Sequence, residues 1–270
     1  MLELPESLKA YEGKKVFMVA ATLRPETMYG QTNCYVLPEG EYGLYAMLND
    51  EFFVCSERSA RNFSFQDVTV EYGKYPCLAK VTGLDLIGVP LSAPLSHYEK
   101  VYTLPMTSIL MTKGTGIVTS VPSDSPDDWA SLRELQAKAF NRDKFNVKEE
   151  WCLPFAPVPI INIPEFGDLT AVKLVDDLKI SSSKDKDLLK IAKDKAYLKG
   201  FTEGKMLVGI AKGESVEKAK PIVKKYLMEA GLAVPYYEPE GEVVSRSGDN
   251  CIVASCYQWF LKYGEDEWKE

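Results

Sequence analysis

Eight short apolar stretches, separated by Gly, Pro, Asn and Asp, fill the first 121 residues and constrain the fold more than any other feature. The stretch 15–22 is apolar and partly β-branched, and Gly13 and Pro25 flank it, as expected for a buried strand. Further strand candidates lie at 32–37, 43–48, 51–55, 67–71, 76–82, 100–104 and 116–121. This spacing is typical of an all-β barrel or sandwich.

Beyond residue 125 the pattern becomes helical. Ser125 at an N-cap position and Pro126 at the first helical position predict a helix over 125–140. Asp127 and Asp128 then fall in its first turn, where the helix dipole favours negative charge. A short helix capped by Ser56 is expected at 56–63, charged helices near 169–179, 184–198 and 215–230, and strand character again at 243–255. The sequence therefore predicts an α+β fold, with a β-barrel-like core surrounded by helices and a helical insertion.

Charge is unevenly distributed along the 270 residues. The net charge is −7, but residues 173–225 contain 14 Lys and eight Asp or Glu, so this part carries +6 and the remainder −13. A basic half can guide a polyanion to one side of a protein, and a solvated helical surface has the same composition. No apolar run approaches the roughly 20 residues that a membrane helix needs, so we expect no membrane partner.

Six cysteines are scattered along the chain without a C-x-x-C pair, and His97 is the one histidine. This is poor material for a zinc site, so we expect neither a metal nor another cofactor. Any Ser-His-Asp or Cys-His mechanism would have to use His97, which we expect at the surface. The cysteines, and the lack of a secretory signal at the start of the sequence, indicate a cytoplasmic protein.

Three segments hold residues suited to chemistry: Thr22-Leu-Arg-Pro-Glu-Thr-Met-Tyr-Gly30, Gly114-Thr-Gly-Ile-Val-Thr-Ser-Val-Pro122 and Ser123-Asp-Ser-Pro-Asp-Asp128. Each also has a structural interpretation. Arg24 could pair with Glu26 on the surface, the glycines could form a bulge, and Asp128 could complete a helix cap with Ser125.

Taken together, these three segments resemble the threonine-rich strand, the GTG segment and the aspartate loop of the leucyl-tRNA synthetase editing domain. The segment Ser245-Arg-Ser-Gly-Asp249 through Gly264 resembles the return of that synthetase's chain to its catalytic core. The resemblance favours the archaeal/eukaryotic type. It implies one editing domain over 1–270, with its core at about 12–165 and 232–256, a helical insertion at about 166–231, and a tail at 257–270. No HIGH-type or KMSKS-type motif occurs, so the ATP-dependent synthetic site would lie elsewhere.

The resemblance also implies roles for individual residues. Asp128 matches the aspartate that binds the α-amino group of the misattached amino acid, and Thr27 matches the threonine that blocks leucine. Thr22 and Arg24 would complete the catalytic strand. The substrate-binding residues would be Leu23, Leu110, Thr112, Lys113, Gly114, Thr115, Gly116, Thr119 and Val121, with Leu110 to Gly116 holding the terminal adenosine of tRNA. Leu23 and Asp124 replace a threonine and a histidine of the bacterial pattern.

The implied activity is hydrolysis of the aminoacyl ester of mischarged tRNA(Leu), which releases norvaline, isoleucine or methionine. The implied partners are the 3′ terminal adenosine of the tRNA with its amino acid, and the rest of the synthetase, a leucine–tRNA ligase. Two alternatives stay open from the sequence. The editing domain of valyl-tRNA synthetase shares the R-P-E-T-M-x-G pattern, and a non-catalytic module binding protein or tRNA would need no hydroxyl-lined site.

Overall fold

A computed structural model describes residues 1–259, 261 and 264. Within these residues the strands are β1 (Lys15–Met18), β2 (Asn33–Val36), β3 (Glu41–Ala46), β4 (Glu51–Cys55), β5 (Cys77–Thr82), β6 (Pro90–Leu91), β7 (Val101–Pro105), β8 (Ile117–Ser120), β9 (Ile161–Asn162) and β10 (Lys205–Met206). The α-helices are α1 (Glu57–Ser64), α2 (Gly83–Leu86), α3 (Pro126–Ala137), α4 (Ala139–Asp143), α5 (Thr170–Asp177), α6 (Lys186–Glu203) and α7 (Val216–Glu229). Short 3-10 helices lie at Glu6–Tyr11, Pro25–Gly30, Leu48–Asp50 and Glu149–Trp151.

Two four-stranded sheets enclose a common apolar core. The first has the strand order β1-β4-β3-β5 and the second β6-β7-β2-β8, while β9 and β10 form a separate pair. Val16 and Leu44 from the first sheet and Val36 and Val101 from the second belong to one buried cluster. Neither sheet closes on itself within the described part of the chain. The α+β fold is thus confirmed, with the barrel-like core made of two mixed sheets that face each other.

The first strand is shorter than its apolar pattern indicates. β1 ends at Met18, which pairs with Val54 of β4, and β4 itself ends at Cys55. Directly after it, Ser56 caps α1 by accepting the N–H of Ser59 at 3.3 Å, as the sequence predicts. Because the partner strand turns into a helix, residues 19–22 leave the sheet and lead into the Pro25–Gly30 helix.

Two of the expected strands do not form. Residues 67–71 are a loop in which Asp67 has φ +58°, a conformation that no strand contains. Residues 243–255 contain a single bridge between Val244 and Asn250, and Val243 and Val244 are about half exposed. Their β-branched residues have strand propensity, but among the residues that the structure describes no neighbouring strand supplies hydrogen bonds or buries them.

The helices beyond residue 125 pack against the two sheets. The expected helix at 125–140 breaks at Lys138 into α3 and α4. The three charged helices correspond to α5, α6 and α7. Met28 and Val121 share a buried cluster with Met206 and Val223, so the proposed insertion at 166–231 packs against the elements that carry the chemical motifs.

Within the described ranges, no helix is long and apolar enough to cross a bilayer. In the expected tail at 257–270, Phe260, Lys262, Tyr263 and residues 265–270 lie outside the described residues.

Candidate active site

The three motif segments meet at one edge of the two sheets. Gly114 approaches Ala21 so closely that a Cβ on Gly114 would lie 3.6 Å from the Ala21 side chain. Gly30 packs against Val121 and Ser123, where an added Cβ would come within 3.1 Å of either side chain. Residues far apart in sequence therefore form one site, since the antiparallel pairing of β2 with β8 aligns the strand after Gly30 with the strand before Val121.

Asp128 is a buried carboxylate held by the main chain. Its side chain is 7% exposed, and Oδ2 accepts the N–H of Val121 at 2.8 Å. Tyr35 donates its hydroxyl to the carbonyl oxygen of Asp128 at 3.1 Å, which fixes this first turn of α3 against β2. Burial raises the pKa of Asp128 to about 7, although the Val121 hydrogen bond acts in the opposite direction.

The helix-cap interpretation of Asp128 is wrong. Ser125 does occupy the N-cap position of α3, but its side chain makes no capping hydrogen bond. Asp128 instead bonds back across the loop to Val121, seven residues earlier. An acid that is buried and bonded in this way is a candidate binding group, because its two oxygens keep acceptor capacity beyond the hydrogen bond to Val121.

The turn at Arg24 is closed by hydrogen bonds from two threonines. Thr22 Oγ1 accepts the N–H of Arg24 at 3.0 Å, and Thr27 Oγ1 donates to the Arg24 carbonyl at 2.8 Å. Thr27 is 5% exposed, whereas Leu23 is 85% exposed and Thr22 is also exposed. The threonine-rich segment thus presents one exposed hydroxyl, that of Thr22, whose hydrogen can still be donated. It also presents one buried side chain in a fixed orientation, that of Thr27.

Arg24 is part of a buried charge cluster rather than a surface pair. Its Nε lies 3.3 Å from Glu26 Oε1, and its Nη2 lies 3.9 Å from Asp124 Oδ1. Glu26 and Asp124 are 1% and 4% exposed. Burial raises the pKa of Asp124, and Arg24 and a hydrogen bond from Ser123 partly offset this. One guanidinium therefore compensates two buried carboxylates and links the Arg24 turn to the aspartate loop.

Helix α6 supplies side chains that sequence reasoning missed. The guanidinium carbon of Arg24 lies 4.8 Å from the centre of the Tyr197 ring, a cation–π geometry. Lys193 lies 3.1 Å from Asp127 Oδ2, and Gly200 faces the Arg24 guanidinium closely enough that its Cβ would be 3.7 Å away. The spacing 193, 197, 200 places these residues on one side of a helix, a signal that many helices share.

The segment 110–116 forms the open part of the site. Leu110 is 65% exposed, and Thr112 and Lys113 are also exposed. The other half is anchored, since the Thr115 carbonyl accepts the N–H of Ser56 at 2.9 Å and the Gly116 carbonyl accepts the Tyr42 hydroxyl at 2.7 Å. Gly116 has φ +77°, and a Cβ there would lie 2.9 Å from Met111, so this position requires glycine.

The remaining predicted residues differ in burial. Thr119 is half-buried and pairs with Cys34 across β2 and β8, and Val121 is buried beside the 3-10 helix of Met28. His97 is exposed, and its main chain donates to the Tyr29 carbonyl. In the part of the chain that the structure describes, no group of three His, Cys, Asp or Glu residues is placed to hold a metal ion.

This arrangement has a closed end and an open end. Asp128 at the closed end can accept hydrogen bonds from an ammonium group, and the exposed hydroxyl of Thr22 can bind water or a carbonyl oxygen. The open end offers exposed apolar, hydroxyl and cationic side chains. The site therefore suits a ligand with an amino group at one end and a larger polar or anionic body at the other.

The chain is similar to known proteins over nearly its whole length. No protein-family profile matches the chain. The cytoplasmic leucine–tRNA ligase of Dictyostelium discoideum is 54% identical over 270 residues, which are 98% of this chain and 26% of that protein. The chain thus spans about a quarter of the length of the curated relatives it matches. Their names confirm the expected cytoplasmic localisation.

Two similar solved structures have about the same extent as this chain. The crystal structure of GlLeuRS-CP1 has a TM-score of 0.79 and 40% identity, covering 83% of this chain and 80% of the other. The cytosolic leucyl-tRNA synthetase editing domain of P. knowlesi has a TM-score of 0.78 and 30% identity, covering 86% and 88%.

Proposed function

Because the chain belongs to the family of leucyl-tRNA synthetase editing domains, we propose that it hydrolyses the ester between a wrong amino acid and tRNA(Leu). The observation that carries this proposal is Asp128, a buried carboxylate whose Oδ2 is held by the Val121 N–H at 2.8 Å, in the loop that Arg24 contacts through Asp124. A carboxylate in this setting recognises the free α-ammonium group that every aminoacyl ester carries.

The residues divide the work between binding and positioning. Asp128 binds the ammonium, and the methyl group of Thr27 limits the space for the amino acid side chain. Its χ1 is fixed because Thr27 is β-branched and its hydroxyl is bonded to the Arg24 carbonyl. Thr22 keeps its own O–H free, because its oxygen accepts the Arg24 N–H, and it orients water or the ester carbonyl. Thr119 and Val121 line the amino acid end of the site.

The reaction consists of addition of water to the ester carbonyl and departure of the ribose oxygen, which takes up a proton. An aminoacyl ester is already activated, so holding water in line with the carbonyl supplies much of the needed acceleration. The ribose hydroxyl next to the ester is available to hold this water together with Thr22. The free amino acid and an uncharged tRNA are the products.

The open end of the site receives the terminal adenosine of the tRNA. Leu110, Thr112 and Lys113 are exposed there and provide apolar, hydroxyl and cationic contacts, while Gly114 brings the main chain close to Ala21. The basic helices at 173–225 add a positive field that attracts the tRNA backbone. The rest of the synthetase would bring the charged 3′ end to this site.

A deacylation assay tests the proposal. The chain is mixed with tRNA(Leu) carrying norvaline, isoleucine, methionine or leucine, and release of each amino acid is followed. We expect release of the first three and retention of leucine. If tRNA(Leu) carrying norvaline, isoleucine or methionine stays charged in every case as long as in the protein-free control, the proposed activity is refuted. Preferential release of threonine from tRNA(Val) would instead indicate the editing activity of a valine enzyme.

A further inference from the structure

The C-terminal segment, residues 232–259, returns across the molecule without a regular strand or helix. Most of its attachments lead to α1 and the loop behind it. Gln66 donates to the Tyr237 carbonyl at 2.7 Å and accepts the Tyr237 N–H at 3.0 Å. Further along, the N–H of Ser255 donates to the Phe65 carbonyl at 2.7 Å. These bonds hold the C-terminal segment but do not touch the candidate active site.

Glu238 makes a contact of a different kind. Both of its carboxylate oxygens lie 3.0 Å from the N–H of Gly114, in the segment 110–116 of the active site. The same carboxylate is paired with Arg58 of α1, with Nη1 2.5 Å from Oε2, and it accepts the Tyr236 hydroxyl at 3.2 Å. Its side chain is 19% exposed. The Arg58–Glu238 ion pair is mostly buried, and the same carboxylate accepts several hydrogen bonds. Its geometry is therefore better defined than that of an exposed ion pair.

Gly114 needs an external contact to hold its conformation. It has φ +60°, and a glycine samples many backbone conformations when nothing selects one. Its turn has one internal main-chain bond, from Lys113 N–H to the Leu110 carbonyl at 3.2 Å. The firm anchors of this segment come later, at Thr115 and Gly116. The Glu238 carboxylate is therefore the bond that holds the exposed half of the segment in place.

We infer that Glu238 is a positioning residue of the site: by binding the Gly114 N–H, it fixes the segment that receives the terminal nucleotide of tRNA. This inference rests on the proposed function for the identity of the ligand. The contact between the C-terminal segment and Gly114 stands independently of it. Arg58 supports Glu238 in turn, so α1, the C-terminal segment and the nucleotide-binding loop form one unit.

The test compares Glu238→Ala with Glu240→Ala. Glu240 is an exposed acid two residues further on, with no hydrogen bond or ion pair to the part of the chain that the structure describes, so its variant matches the change in charge. Hydrogen exchange, followed by mass spectrometry, reports the mobility of amides 110–116. We expect faster exchange there in Glu238→Ala and no change in Glu240→Ala. Unchanged exchange in Glu238→Ala overturns the structural part of the inference.

Kinetics on mischarged tRNA test the functional part. We expect Glu238→Ala to raise KM about tenfold, with kcat within about threefold of the wild type, since a loop that Glu238 no longer holds must be ordered when the tRNA binds. Glu238→Gln keeps an acceptor for the Gly114 N–H, so its KM should lie between those of the wild type and Glu238→Ala. An unchanged KM despite faster exchange overturns the functional part.

A lower KM also overturns the positioning role, because it would mean that the carboxylate occupies a place meant for a phosphate of the tRNA. Absence of hydrolysis by the wild type refutes the proposed function instead, and the exchange comparison still decides whether Glu238 holds the loop.

Discussion

The two ends of the site are built on opposite principles. At the closed end, Asp128, Asp124 and Glu26 are almost fully buried, and each is bonded to the main chain, a hydroxyl or Arg24. At the open end, Leu110 and Lys113 are exposed, and the loop between them has few bonds of its own. Buried polar groups are costly to leave without a partner, whereas exposed contacts contribute little each. The closed end should therefore determine which amino acid is removed, and the open end how tightly the tRNA binds.

Removing the charge of Asp128 should produce the largest effect. In Asp128→Asn the amide oxygen can still accept the Val121 N–H, but the anion for the substrate ammonium is lost. Loss of one partner of a buried charge pair costs about 2–5 kcal/mol, which corresponds to a roughly 30- to 5,000-fold decrease in kcat/KM for deacylation. Asp143→Asn, on exposed α4, is the control and should keep full activity. Wild-type activity in Asp128→Asn would show that the carboxylate does not bind the ammonium.

Thr27 should govern which side chain is excluded. Thr27→Ala and Thr27→Ser both remove the methyl group, and the serine keeps a hydroxyl for the Arg24 carbonyl. Both should cleave correctly charged leucyl-tRNA about 10- to 200-fold faster than the wild type, since a pocket separates side chains that differ by one methylene by about 1–3 kcal/mol. Thr27→Val keeps both branches and should still spare leucine. If Thr27→Val cleaves leucyl-tRNA as fast as the alanine variant, the hydroxyl determines exclusion and the steric explanation is wrong.

The pH dependence of stability should single out Asp128. The folded-state pKa of Asp128, about 7, lies above the 3.8 of an exposed aspartate, so the folded protein binds the proton more tightly. The destabilisation from ionising Asp128 is absent below pH 3.8, grows as pH rises towards 7 and is constant above. Relative to the wild type, Asp128→Asn should gain roughly 1 kcal/mol of unfolding free energy per pH unit between pH 5 and 7. Denaturant titrations at pH 5, 6, 7 and 8 measure this, and a pH-independent difference would contradict the raised pKa.

The difference between the two ends also explains what the sequence could predict. The strands, the cap of α1 by Ser56 and the start of α3 at Pro126 depend on neighbouring residues, so the local pattern predicts them. The prediction of a strand at 243–255 is wrong, because a strand forms only where a partner strand, often far away in sequence, pairs with it. The motif segments could be identified because each is a continuous stretch, and their resemblance to a family added roles that spacing alone does not give.

What the sequence could not predict are the contacts between segments. Tyr197 lies over Arg24, and Glu238 binds Gly114, although 173 and 124 residues of sequence separate these pairs. A tyrosine within a lysine-rich helix and an acid in an irregular segment have no local feature that marks them. The bond of Asp128 to Val121 belongs to the same class, since the helix-start pattern favours a cap with Ser125.

Lys113 should show the smallest effect and thereby test the open end. It is exposed, so its contribution to tRNA binding is that of a screened charge. Lys113→Ala should raise KM for mischarged tRNA about two- to fivefold at low salt, in line with roughly 0.5–1 kcal/mol for an exposed charge contact, and leave kcat unchanged. The effect should fade as salt rises, with the slope of log KM against log salt reduced by up to about 0.7 if one phosphate contact is lost. Lys14→Ala is the matched control, because it removes the same charge away from the site. Lys14 precedes β1, whereas Thr22 follows it, and the Lys14 side chain pairs with Asp50. A salt-independent loss of kcat in Lys113→Ala would place this lysine in the chemical step and erase the division between a selective closed end and a binding open end.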